Sequence, residues 1–200
     1  MEGEREVRSL LSDFELFDAM TADEKKYNGR MFPQVTAKEY LEKNVHKIKW
    51  AKTVLEYGRE FAPPAEQQAR KMYEHWRLLE FPFKKGQCYH NSYVFGKIAG
   101  WPYVEGLVAT IPGRVFFHAW NATPGSLVAA DVTWPLFSYF TSYMGIEFPV
   151  EFALSLLKEK EKRKKKVDNS CSKGWILYSW DIFEEPVKEF LRTRRDNSST

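Results

Sequence analysis

The sequence predicts an α+β domain in which a helix opening at a cysteine packs on an antiparallel sheet, with a helical extension before it. Three observations carry this. Apolar residues recur at steps of three and four over 36–57 and again over 65–80. After Gly100 and Pro102 come three strand-like runs, separated by Pro112-Gly113 and Pro124-Gly125. The chain of 200 residues is 44% hydrophobic and 16% aromatic, enough for a substantial core.

The elements follow in order. Residues 1–36 mix charges around a short apolar patch, Leu10 to Phe17, and read as an arm or short helix. From a Thr36 N-cap to Tyr57, the residues Tyr40, Leu41, Val45, Ile48, Ala51 and Leu55 form one buried stripe, so a single helix is expected. Gly58 and Pro63-Pro64 end it. A second helix over Ala65 to Glu80 carries Ala69, Met72, Tyr73, Trp76 and Leu79, and Phe81-Pro82-Phe83 breaks it. The next helix runs from Cys88 to Ala99, with an apolar stripe of Phe95, Ile98 and Ala99, and Gly100 and Pro102 stop it. Strands are expected over Tyr103 to Ile111, Val115 to Asn121 and Leu127 to Trp134, paired antiparallel. The segment from Pro135 to Pro149 has the length and composition of a lid or binding loop. Phe148 to Leu157 reads as a helix, Trp175 to Trp180 as a strand and Glu184 to Arg195 as a helix. The organisation is thus an arm and helical extension over 1–85, a core over 86–195 and a frayed tail over 196–200.

Composition narrows the function. Cys88 and Cys171 are the only cysteines, too few for a disulfide framework and consistent with a reducing compartment. No apolar run reaches the length of a membrane span, and the start, Met1 to Glu6, lacks the features of a signal peptide, so a soluble, cytoplasmic protein without a membrane partner is expected. The net charge of +3 argues for neither nucleic acid nor membrane. Lys158 to Lys166 holds seven basic residues, which read as a solvated face able to recruit an acidic partner. Without interleaved aromatics or a nucleic-acid-binding motif, no nucleic-acid partner is expected.

The chemistry concentrates in an ordered trio: Cys88 in Gly86-Gln87-Cys88, His118 in His118-Ala119-Trp120-Asn121, and Asp131 in Asp131-Val132-Thr133-Trp134. A thiol, an imidazole and a carboxylate are the parts of an activated cysteine nucleophile. Cysteine attacks as its thiolate, a form favoured by a helix N-terminus and a neighbouring imidazolium. Gly86 allows a tight turn into the helix. The Cys88 amide could then stabilise an oxyanion, with the Gln87 side chain as a further donor. A hairpin folded about Pro124-Gly125 sets His118 directly opposite Asp131, with Cβ atoms about 4.5–5.5 Å apart, so the carboxylate can orient the ring. Pro-Gly favours a type II turn, poorly suited to a two-residue hairpin, which argues for a longer loop; a symmetric four-residue loop preserves the register.

Blander readings exist for each residue: a small buried cysteine, a core histidine, an aspartate capping a strand. His90 is a rival base but projects about 200° from Cys88 around the helix. His46 and His75 read as solvated or structural. Cys88, His90, His118 and Asp131 lack zinc-ligand spacing, and no phosphate loop or dinucleotide fingerprint occurs, so neither metal nor cofactor is expected. Among the aromatics near the trio, Trp120 and Trp134 are candidates to wall a substrate cleft, together with Tyr89. Core packing competes for Trp101, Tyr103, Phe137, Tyr139, Phe140 and Tyr143.

These three motifs, in this order, resemble the core of the transglutaminase-like branch of the papain-like cysteine enzymes over Gly86 to Trp134, about a quarter of the chain. The chain departs from the family pattern at Tyr89, where tryptophan is commonest, and at Val132, where proline is common. The resemblance implies a papain-like core in which Cys88 is nucleophile, His118 general base and acid, and Asp131 the orienting residue. It implies acyl chemistry through a thioester, without metal; a peptide, protein or other amide substrate is expected, and hydrolysis is favoured over acyl transfer because water needs no second site. The family also contains inactive copies, so the alternative is a protein- or nucleic-acid-binding module that keeps the fold.

Overall fold

The computed structural model describes residues 35–65, 74, 76, 87–110, 115–133, 140–164 and 176–197. Among them are five α-helices and a five-stranded antiparallel sheet.

Thr36 caps α1 (Ala37–Lys43) through a reciprocal capping box with Glu39. The apolar period continues to Tyr57, but the helix does not. Asn44 turns its side chain back to the Tyr40 carbonyl at 2.8 Å, the local competition that ends helices at asparagine. The single expected helix is therefore two, with α2 (Ala51–Tyr57) following a run of turns. Next, β1 (Arg59–Phe61) pairs with a strand far along the chain. Of the expected second helix, Glu74 and Trp76 are described, both helical; the rest lies outside the described residues.

Helix α3 (Cys88–Ala99) matches its expected bounds and ends at Gly100 in the left-handed conformation, φ +70°. Its buried face differs from the expected stripe. Cys88, Asn91, Ser92, Phe95 and Gly96 are buried, whereas Ile98 is 61% exposed and Ala99 is also exposed. Polar side chains on the inner face have partners on the sheet: Ser92 donates to the Ala119 carbonyl, and Asn121 donates back to the Ser92 carbonyl. Gly96 permits this close approach, since a Cβ there would sit 2.8 Å from the Asn121 amide and the Trp101 carbonyl.

The sheet has the order β1-β5-β2-β3-β4, with β2 (Tyr103–Thr110), β3 (Val115–Ala122), β4 (Ala129–Ala130) and β5 (Phe140–Phe148). The expected lid over Pro135 to Pro149 is corrected here. Its second half is β5, inserted between β1 and β2, with Tyr143, Met144, Gly145 and Ile146 buried in succession because both faces of the strand are covered. The run expected as a strand over Leu127 to Trp134 pairs with β3 only at Ala129 and Ala130. At its edges the sheet curls until they meet: Ala62, just after β1, donates to the Leu127 carbonyl and accepts from the Ala129 amide.

Helix α4 (Val150–Lys164) begins two residues later than expected and takes in the basic run as far as Lys164; Lys165 and Lys166 lie outside the described residues. The strand expected over Trp175 to Trp180 is instead a 3₁₀ turn, Leu177–Ser179, leading into α5 (Trp180–Asn197). Its first amides are captured by a carboxylate: Ile176 and Leu177 both donate to Glu105 at 2.8 Å. Helix α5 also continues through Asp196, where a frayed tail was expected. Residues 37–61 share the principal apolar core with α3, the sheet and α5, through Leu41, Trp50, Val54, Leu107, Ile146, Phe183 and Leu191. No helix among the described residues is long and apolar enough to cross a membrane.

Candidate active site

The hairpin between β3 and β4 decides whether His118 and Asp131 can meet. Pro124 and Gly125 occupy the central positions of a turn closed by the Ser126 amide on the Thr123 carbonyl, with Gly125 at φ +71°. That is the type II preference of Pro-Gly. The strands close only beyond it, at Thr123 and Val128, which makes a four-residue loop and sets Asn121 opposite Ala130. The register therefore differs by two residues from the expected one, in which His118 would lie directly opposite Asp131. A shift of two preserves the face of every side chain, so the pair meets diagonally instead.

The meeting is close. His118 Nε2 and Asp131 Oδ2 are 2.5 Å apart, and the two residues are 0% and 2% exposed. Asp131 lies just past β4 and is held at three points. Its Oδ1 accepts from the Thr133 amide at 3.0 Å, and its Oδ2 accepts from His118 and from the Tyr143 hydroxyl at 3.2 Å.

Cys88 is near enough to the imidazole to act on its charge. Burial disfavours charge on the ring, but the Asp131 carboxylate and its hydrogen bond, reinforced by Cys88, outweigh it and hold His118 up to about 10. The carboxylate thus favours the charged form of the ring.

Cys88 is the first residue of α3 and 6% exposed. Its amide is one that the helix cannot pair within itself, and it stands at the positive end of the dipole. One turn on, Asn91 donates to the Thr133 hydroxyl at 3.2 Å. Hydrogen bonds thus run from His118 to Asp131, Thr133 and Asn91, which stands on the helix that Cys88 opens. Neither Asn91 nor Thr133 was singled out from the sequence; an asparagine three residues after the cysteine, on the face that also holds Ser92, was the available signal.

The remaining candidates divide. Gln87 precedes the helix as its N-cap and makes no capping hydrogen bond with its side chain. Tyr89 is half-buried at the rim of the core. Trp120 is corrected: it is fully buried, not exposed along a cleft wall, and lies behind the imidazole, its ring 18° from parallel with His118 at 6.3 Å between centroids. Space for it comes from Gly145, where a Cβ would sit 2.7 Å from the indole. Trp134 and Gly86 lie outside the described residues. His90 packs edge-on against Tyr93, and no group of His, Cys, Asp and Glu suited to a metal ion occurs among the described residues. A cavity of about 420 Å³ lined by Lys97, Trp101, Glu147 and Arg194 opens beside the far end of α3 and contains none of the trio. Comparison of the chain with protein-family models, with curated proteins and with solved structures finds no match.

Proposed function

We propose that this protein is a cysteine-dependent amide hydrolase of the transglutaminase-like, papain-like type. The observation that carries the reading is a buried imidazole bonded to a buried carboxylate, with a helix-start thiol near enough to act on its charge. In this scheme the Cys88 thiolate attacks the amide carbonyl carbon, and the Cys88 amide faces the developing oxyanion. His118 gives its Nδ1 proton to the departing amine as the C–N bond breaks, leaving a thioester. Water then attacks the thioester carbon while His118 takes its proton, and the acid leaves as the thiolate re-forms. Asp131 keeps the ring oriented and stabilises its charge throughout. Water as the resolving nucleophile needs no second binding site, which favours hydrolysis over transfer.

The test is alkylation of Cys88 by iodoacetamide followed by mass spectrometry across pH 5 to 9, with Cys171 as internal comparator. Alkylation of Cys88 that stays rapid at pH 6 and falls about tenfold or more in His118→Ala is expected. A rate that tracks Cys171 and ignores His118 would reduce the trio to packing. Activated alkylation then justifies a screen of amide and peptide substrates against Cys88→Ala.

A further inference from the structure

Asp131 has a weak claim to its own position. It follows a strand of two residues at the edge of the sheet, and the next described residues, Val132 and Thr133, form a bend. Its partner His118 is on β3, well inside the ladder. Beyond the Thr133 amide and the His118 ring, the carboxylate is reached by a side chain from β5.

Tyr143 sits where β5 is bonded on both sides, opposite Val108 on β2 and Phe61 on β1, and is 1% exposed. Its ring meets Trp120 edge-on at 5.0 Å and lies 6.4 Å from the imidazole, so its aromatic part belongs to the packing behind His118. Its hydroxyl points at Asp131 Oδ2, the same oxygen that bonds His118. The 2.5 and 3.2 Å separations rank the two donors: the histidine has first claim and the phenol holds the oxygen from a second direction.

We propose that Tyr143 is a positioning residue for the thiol site, acting through Asp131 on the imidazole without touching substrate. This rests on the reading of Cys88, His118 and Asp131 given above. The hydroxyl is suited to a fixed role, because burial and the facing Asp131 carboxylate push its ionisation well above the ordinary phenol range. It donates at every pH at which the protein works. It also draws charge from the oxygen that faces His118, so it tempers how tightly the imidazolium proton is held as well as where the carboxylate stands.

Tyr143→Phe removes one oxygen and keeps the ring contacts. Cys88 alkylation by iodoacetamide at pH 7 is expected to fall about threefold to tenfold in this variant, and the titration midpoint of the His118 ring, followed by NMR, is expected to move from about 10. In an Asp131→Asn background the same substitution should slow alkylation no further, because the hydroxyl acts only through the carboxylate. Equal slowing in both backgrounds, or an unmoved ring midpoint, overturns the proposal and leaves Tyr143 as packing. Failure of the underlying reading looks different: native Cys88 would alkylate no faster than it does in His118→Ala. The ring midpoint in Tyr143→Phe still judges the tyrosine in that case.

Discussion

Among the described residues two carboxylates are buried, Asp131 at 2% exposure and Glu105 at 0%, and each accepts a tyrosine hydroxyl. Their other donors separate them. Glu105 takes the hydroxyl of Tyr103 at 2.5 Å and two backbone amides, from Ile176 and Leu177. The two amide bonds fasten the start of the C-terminal helical segment to the middle of the sheet. Asp131 takes one amide, one hydroxyl and an imidazole. The contrast is that Asp131 has an imidazole among its donors and Glu105 has backbone amides.

Substituting the structural tie should have the largest effect on folding. Glu105→Ala leaves three buried donors without their acceptor and should cost at least about 3 kcal/mol in urea unfolding. A loss below about 1 kcal/mol would mean that the 3₁₀ turn finds other acceptors, and the contrast would fail. A second test uses pH. The His118 ring is held up to about 10 in the fold against an ordinary 6.5. Its proton therefore stabilises the folded state fully below about pH 6.5, and that contribution disappears as pH rises through about 10. The unfolding free energy of the native chain minus that of His118→Asn should accordingly be on the order of a few kcal/mol at pH 6 and shrink steadily by pH 9, while the Tyr103→Phe difference stays flat over that range, because the unfolded phenol ionises only near pH 10. A flat profile for His118 would place it with Glu105 as a tie. Smallest is Tyr103→Phe itself, expected to cost about 1 kcal/mol and to leave the His118 midpoint in place. A moved midpoint would join the two carboxylates into one network.

Much of this site was legible in residue types and spacing. Cys88 was placed at a helix start because Gly86, Gly100 and Pro102 bracket an apolar run, and the helix has those bounds. The pairing of His118 with Asp131 was legible through strand parity. The predicted register was two residues off because Pro-Gly made a type II turn inside a longer loop, and an error of two leaves the face unchanged. A bulge of one residue would have hidden the pair. What escaped detection depends on contacts distant in sequence. Strand β5 was taken for a loop since its residues are buried on both sides and show no alternation, with Gly145 interrupting them where Trp120 needs room. The Trp175 to Trp180 run has the aromatic, β-branched look of a strand, but its first described amides belong to Glu105, 71 and 72 residues away. Tyr143 was visible as an aromatic near the trio, and its hydroxyl acquires a role only once β5 lies beside β2.

The seam at Ala62 has a consequence for how this chain survives at high concentration. Edge strands are templates on which another molecule can add a strand, and β1 and β4 are the two edges of this sheet. Here each blunts the other: the Ala62 amide and carbonyl are both spent on the opposite edge, at 2.8 and 2.9 Å. Protection from edge-to-edge association is therefore internal and concentrated at one small residue, whose two hydrogen bonds separate a sheet joined to itself from one open to its neighbours.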